Sequence, residues 1–294
     1  MTMHTILVTG ACGQLGRELQ IVSRNSKDSF IFTDVVQDDE VGAVYLDMTD
    51  TASVAALVGS EGVDVIVNCA AYTNVDAAED NPVLAEKLNC TAVEGLAKVA
   101  ADAGAFLVHI STDYVFGGET FSSPIPETCA PSPLGVYGRS KLAGEEAVMR
   151  SGCEFAIIRT AWLYSEFCRN FLKTMLTLFD TRGSVSVVDD QRGTPTYAYD
   201  LAELIMKVIE NPRTGIFHFT DEGECSWYGF ASAIALMSGS SCAVVPCTSE
   251  EYPTKARRPA YSVLSKDKVK SVFGVAVPEW EKSLEVCLKR MGLI

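Results

Sequence analysis

Through its first half the chain alternates short apolar runs with longer amphipathic stretches. TILVTG is a short β run closing on glycine, and QLGRELQIVSR has helical spacing. SFIFTD and AVYLD predict a second and a third strand, and TASVAALVGS a short helix opened by a threonine cap. VDVIVNCA is almost unbroken in its apolar character, the pattern of a strand buried on both faces. NPVLAEKLNCTAVEGLAKVAADAG predicts one long helix, with proline near its start and glycine at its end. AFLVHIST predicts a fifth strand. A proline-rich loop over 117–135, a helix carrying Tyr137 and the strand CEFAIIRT follow.

Strands alternating with helices imply an α/β fold: a Rossmann-like, doubly wound parallel sheet with right-handed crossovers. After residue 160 the alternation loosens into FLKTMLTLFD (helix), SVSVV (strand), LAELIMKVIE (helix) and GIFHFT (strand). From about Asp221 turns increase and strands thin out. The expected organisation is a dinucleotide-binding domain over 1–160, with 184–220 returning to it. A smaller, mostly helical substrate-binding lobe takes 161–183 and 221–294.

Composition narrows the class. The chain has 294 residues, of which 48% are hydrophobic, so a sizeable core can form. The net charge is −14 and no basic run is present, which argues against a nucleic-acid reader. No apolar run approaches the roughly eighteen residues of a membrane span. The opening MTMHTILVTG lacks the basic and long apolar regions of a signal peptide, so a cytoplasmic protein is expected. The ten cysteines are scattered without C-x-x-C spacing and read as reduced thiols. His4, His109 and His218 are too dispersed for a metal site, and no metal ligands are assigned.

The first strand runs into TGACGQLG, which spaces Gly10, Gly13 and Gly16 as a variant of the dinucleotide-binding turn. Glycine permits the tight turn and lets backbone approach a pyrophosphate, and Gln14 and Leu15 open a helix whose N-terminus favours anions. An acidic protein can hold phosphate in this way. Asp34 ends the second strand, where a carboxylate can accept hydrogen bonds from the adenosine ribose and repel a 2′-phosphate. The alternative is an aspartate that merely caps a turn, and the spacing of the fingerprint favours the ribose role. Arg17 could accept a 2′-phosphate, so both NADH and NADPH stay in play, with NADH slightly favoured. Asp47 and Met48 close the third strand and are candidates to flank the adenine. Ala70, Ala71 and Tyr72 close the fourth, where small residues leave room for a cofactor or simply pack helix on sheet.

The fifth strand ends in STDYVFGG, so Ser111, Thr112 and Asp113 should reach the same crevice. GVYGRSKLAGE then places Tyr137 and Lys141 four apart on one helical face. A free tyrosine titrates near 10, and a nearby ammonium favours the phenolate. Lys141 is therefore expected to draw the Tyr137 pKa down.

This ordered set, with NCAAYTNVDAAE, PSPLGVYGRSKLAGE, IIRTAWLY, DDQRGTPTYA and ARRPAYSVLS, resembles the extended short-chain dehydrogenases/reductases. Within them it resembles the dTDP-4-dehydrorhamnose reductases, over nearly the whole chain. The resemblance implies reduction of the 4-keto group of dTDP-6-deoxy-L-lyxo-4-hexulose to dTDP-L-rhamnose. It implies Tyr137 as proton donor, Lys141 as its tuner and ribose anchor, and Thr112 as partner of the substrate oxygen. Asp113 would touch the sugar, with Trp162 a candidate sugar contact or a core aromatic. Arg257 and Arg258 are candidates for the substrate diphosphate or structural arginines, and Asn89 matches a family asparagine read as structural. Some relatives are homodimers, and some hold Mg²⁺ between protomers through glutamates. Glu18 falls at one such position, though as a helix glutamate it is expected on the surface. Related 4,6-dehydratases carry an Asp-Glu pair where this chain has Asp113-Tyr114, which argues for simple reduction. Two alternatives remain: an epimerase or reductase of another 4-keto sugar nucleotide, and a non-enzymatic dinucleotide-binding regulator like that of methionine adenosyltransferase.

Overall fold

The structure, a computed structural model, describes residues 3–36, 38 and 40–294. The first half runs β1 (Thr5–Thr9), α1 (Gln14–Val22), β2 (Ser29–Asp34), β3 (Val44–Tyr45), α2 (Thr51–Glu61) and β4 (Val65–Asn68). Next come α3 (Val75–Asp80), α4 (Pro82–Glu86), α5 (Ala92–Ala103), β5 (Phe106–Thr112), α6 (Val136–Arg150) and β6 (Phe155–Thr160). The second half holds β7 (Leu163–Tyr164), α7 (Phe171–Thr181), β8 (Ser184–Val188), β9 (Arg192–Gly193), β10 (Thr196–Tyr197), α8 (Ala198–Glu210) and β11 (Gly215–His218). It ends with β12 (Cys225–Ser226), α9 (Trp227–Met237), β13 (Ala243–Cys247), α10 (Asp267–Phe273) and α11 (Trp280–Arg290).

Seven strands form one sheet in the order β11-β6-β5-β4-β1-β2-β3, and every neighbouring pair is parallel. The chain leaves β1 toward β2 on one side and returns to β4 on the other. That reversal opens a crevice at the carboxyl ends of β1 and β4. Alternation along the strands builds a core on each face. Ile6 and Val8 join Leu19, Val67, Ile158, Leu201 and Ile205 on one side. Leu7 joins Ile66, Val93, Leu96, Leu107 and Ile157 on the other. Each such side chain contributes about 1.5–3 kcal/mol on burial. A third cluster, around Tyr164, Phe179, Phe230, Trp280 and Leu284, lies in the second half of the chain. No helix among the described residues is long and apolar enough to cross a membrane.

Three sequence expectations need correction. The long helix is broken by a π-helical turn over Lys87–Thr91, and a separate α3 precedes it. The wide turn lets the buried Asn89 aim its amide at a neighbouring backbone. The third strand shrinks to Val44–Tyr45, both exposed at the sheet edge. The segment returning to the main sheet is shorter than 184–220, because β8 pairs in parallel with β13 instead. Only α8 and β11 rejoin the main sheet and its flanking core.

Helix α6 sits unusually close to the π turn. A Cβ on Gly144 would lie 2.1 Å from the Asn89 carbonyl oxygen. Gly144→Ala should therefore force the two apart and cost about 1–3 kcal/mol, read by urea unfolding. An unchanged midpoint would show that the contact is soft.

Candidate active site

The glycine turn abuts the end of β4. Gly10 has φ 69°, and a Cβ there would lie 2.7 Å from the Ala70 nitrogen. A Cβ on Gly16 would lie 2.4 Å from the Gly10 carbonyl oxygen. Gly13 caps α1 without any side-chain acceptor, and the first intrahelical bond is Arg17 N–H to the Gly13 carbonyl, at 3.0 Å. The N–H groups of Gln14, Leu15 and Gly16 are thus free of intrahelical partners, a ready anion seat. Leu15 offers only its backbone, since its side chain is in the core. Gln14 Oε1 accepts from Asn170 Nδ2 at 2.9 Å. A cradle that a Cβ would fill, facing unpaired donors, fits a dinucleotide pyrophosphate.

Asp34 is fixed from two sides. Its Oδ2 accepts from Cys12 N–H and its Oδ1 from Val36 N–H, both at 3.0 Å. Both oxygens keep lone pairs for further donors. Arg17 is ion-paired to Asp38 and lies over the Phe167 ring. Asp47 Oδ1 accepts Thr49 N–H at 2.8 Å, the turn role, while Met48 packs in the core. Ala70, Ala71 and Tyr72 line the coil after β4, half-buried. Tyr72 is gripped by Asn89, whose Oδ1 accepts its N–H at 2.8 Å and whose Nδ2 donates to its carbonyl at 3.0 Å. Asn89 Nδ2 also donates to Ser140 Oγ at 3.0 Å, tying this coil to α6. The structural reading of Asn89 holds.

The end of β5 and the start of α6 meet over this crevice. A Cβ on Gly138 would lie 2.4 Å from the Tyr114 carbonyl oxygen, so the helix can approach only as glycine. Glu79 of α3 caps α6 by accepting Val136 N–H at 2.7 Å. The rings of Tyr114 and Tyr137 meet edge to face, with centroids 5.4 Å apart. Thr112 Oγ1 donates to Asp113 Oδ1 at 3.0 Å and accepts Tyr114 N–H at 3.2 Å.

The electrostatics depart from expectation. Burial pushes the Tyr137 phenol up, the neighbouring Thr112 hydroxyl opposes this, and Asp113 and Tyr114 add to it. The Lys141 charge does not offset that burial. The lysine Nζ donates to the Ile110 carbonyl at 2.6 Å, and burial lowers its own pKa to about 8. The Tyr137 shift is therefore the reverse of the sequence expectation. It leaves the phenol protonated near neutrality. Burial likewise raises Asp113 to about 6, against the nearby Ser262 and Thr112 hydroxyls, and among the described residues no donor lies in full hydrogen-bond geometry to its Oδ2. A buried acceptor without a donor fits a ligand hydroxyl.

Other candidates fall elsewhere. Trp162 stacks on Trp227 at 3.6 Å between centroids, and a Cβ on Gly193 would lie 2.5 Å from its ring. It is half-buried at the margin of the third core cluster, and its φ is 48°, a region bulky residues avoid. Arg257 is exposed, whereas Arg258 reaches inward. Arg258 donates from Nη1 to Tyr114 Oη at 2.9 Å and from Nη2 to Asp76 Oδ2 at 2.7 Å. Glu18 is fully buried, not a surface glutamate. Its Oε2 lies 3.2 Å from Arg290 Nη2, which also meets Glu166 Oε1 at 2.7 Å. The Arg290 guanidinium thus lies against both carboxylates. Among the described residues no cluster of three or more His, Cys, Asp and Glu is arranged for a metal.

Sequence reasoning missed Asp76 and Ser140, whose partners are remote in sequence. It also missed Glu145 and Arg159, which form a buried ion pair at 2.6 Å below Lys141. Glu145 alone had a signal: it continues the four-residue spacing of Tyr137 and Lys141.

Comparisons with known proteins agree with this geometry. The model of the RmlD substrate binding domain family matches residues 3–293. A dTDP-4-dehydrorhamnose reductase of Sinorhizobium fredii is 39% identical, covering 95% of this chain and 94% of that protein. The crystal structure of a dTDP-4-dehydrorhamnose reductase from Clostridium acetobutylicum superposes with a TM-score of 0.91 at 41% identity, over 98% of this chain and 99% of that one. One from Bacillus anthracis, in complex with NADP, gives 0.91 at 35% identity, over 98% and 100%.

Two outcomes follow for the chain itself. Gly16→Ala should weaken NADH binding more than about tenfold in a fluorescence titration, since the new methyl group meets backbone on the cradle floor. Unaltered binding would remove the turn from the site. Asp113 is neutral when folded below about pH 6, so its penalty is absent under about pH 4 and full above about pH 6. Asp113→Asn should thus raise stability by up to about 3 kcal/mol at about pH 8 and by nothing near pH 4, in urea unfolding at both. An equal difference at the two pH values would refute the assignment.

Proposed function

The chain belongs to the dTDP-4-dehydrorhamnose reductase family, and on that premise we propose that it reduces the 4-keto group of dTDP-6-deoxy-L-lyxo-4-hexulose to give dTDP-L-rhamnose. The observation that supports the reading is the Tyr137 phenol beside the Thr112 hydroxyl, on the helix face that also carries the buried Lys141. A bound reduced nicotinamide supplies the hydride. The protein's part is to hold the ketone and deliver a proton.

Tyr137 gives its phenolic proton to the carbonyl oxygen as that oxygen takes on negative charge. Thr112 donates to the same oxygen and fixes its place beside the phenol. Lys141, one helical turn away, stabilises the phenolate left behind. The free Oδ2 of Asp113 accepts from a sugar hydroxyl. Arg257, exposed next to the anchored Arg258, meets the diphosphate. Asp34, held toward the glycine turn, and Arg17, committed to Asp38, support NADH over NADPH.

A panel of keto sugar nucleotides, run with NADH and with NADPH, tests this through loss of reduced-nicotinamide absorbance. Turnover should be fastest with the dTDP-linked 6-deoxy-4-hexulose, and Tyr137→Phe should lower kcat by about 10²–10⁴-fold. Turnover of no keto sugar nucleotide would overturn the activity, and an unaffected Tyr137→Phe rate the mechanism.

A further inference from the structure

Tyr137, Lys141 and Glu145 recur at every fourth position of α6 and share one face of it. The proposed reaction uses the first two and leaves Glu145 unexplained. Glu145 is fully buried. Its Oε1 accepts from Ser111 Oγ at 2.5 Å and from Arg159 Nε at 2.9 Å, and its Oε2 from Arg159 Nη2 at 2.6 Å. Arg159 is also buried and lies over the Phe116 ring at 4.9 Å. Ser111 pairs with Arg159 across the sheet. It also separates Ile110, whose carbonyl takes Lys141 Nζ, from Thr112. One short stretch of β5 therefore holds the lysine, the carboxylate and the hydroxyl that borders the phenol.

The titratable groups facing Lys141 come from three elements. Cys69 lies at the end of β4, His109 is on β5, and Tyr137 and Glu145 are on α6. Burial pushes the Cys69 thiol up to about 12 and His109 well down, so both are uncharged near neutrality. Tyr137 keeps its proton. His218, beyond Arg159, is pushed down to about 3 by burial and then by that guanidinium. Glu145 is left as the anion acting on the buried ammonium.

We propose that Glu145, clamped by Arg159 and Ser111, is a positioning residue that keeps Lys141 cationic beside Tyr137 during turnover. The inference rests on the reductase reading for its kinetic test and on geometry alone for its second. Glu145 opposes the lowering of Lys141 by burial. The ammonium is lost as pH rises through its pKa, so the alkaline limb of kcat reports it. Without the Glu145 charge that pKa falls further, and the limb moves to lower pH.

The kcat–pH profile of full-length Glu145→Gln, with the dTDP-linked keto sugar and NADH, should show the limb displaced acidward by about one pH unit or more. Turnover should fall at least about fivefold near pH 8 and less than about threefold near pH 6. Glu145→Asp keeps the charge and should return the limb to its wild-type position. A limb that stays put in Glu145→Gln, with kcat lowered equally at all pH values, overturns the proposal. If that variant does not fold, Glu145→Gln combined with Arg159→Met removes both buried charges together, a change that buried pairs tolerate better than loss of one partner. An acidward limb there supports the proposal, and an unmoved one overturns it. Titrating the Lys141 Cε resonance by NMR needs no turnover, so it separates failure of this inference from failure of the reductase reading. A Lys141 pKa unchanged between wild type and variant overturns the inference whatever the substrate.

Discussion

Where α6 crosses the ends of β5 and β6, a carboxylate and a guanidinium lie together away from water. Burying either alone costs several kcal/mol, and removing one partner of such a pair costs about 3–5 kcal/mol. The pair is tolerable only with its hydrogen bonds filled, and three donor groups fill both Glu145 oxygens. That requirement fixes the helix against two strands at once. A slip of α6 by one residue would strand both charges. Tyr137 and Lys141 ride on the same helix, so the register that satisfies Glu145 also delivers them to Thr112. The close approaches at Gly138 and Gly144 are the steric side of the same docking.

The acidity of the molecule is compatible with a phosphate-bearing ligand because the anion seat is built from backbone. With a net charge of −14, a patch of lysines would have been the conspicuous device, and the chain does not use one. Free N–H groups at the start of α1 and a floor with no Cβ do the work within a few ångströms, where distant surface charge is screened. The carboxylates near the seat are themselves occupied, Asp34 by two backbone donors and Asp38 by Arg17.

Much of this was legible in the sequence, for physical reasons that differ by element. The apolar run of β4 and the glycine spacing of the turn are local patterns, and both map directly onto the fold. Tyr137 and Lys141 were legible because helical periodicity puts them on one face. Their electrostatics were not, because Lys141 Nζ is drawn to the Ile110 carbonyl by a tertiary contact. The π turn around Asn89 escaped because its cause, the Tyr72 backbone, lies 17 residues away. The misplaced β8 shows the same limit. SVSVV reads as a strand in either location, and only its pairing with β13 assigns it. Glu18 looked like a surface residue because the cation that permits its burial is at the far end of the chain.

That last contact has a bearing on how the protein is made. Glu18 lies in the first helix and Arg290 in the last, 272 residues apart. Burial and the nearby Glu166 push the Glu18 carboxyl up, and Arg290 opposes them. On the ribosome the first helix and most of the sheet are synthesised long before residue 290, so during that interval Glu18 must stay hydrated or protonated. The clasp can close only once nearly the whole chain has emerged. A chain cut short before its last helix would keep an unmatched acid beside its own glycine turn.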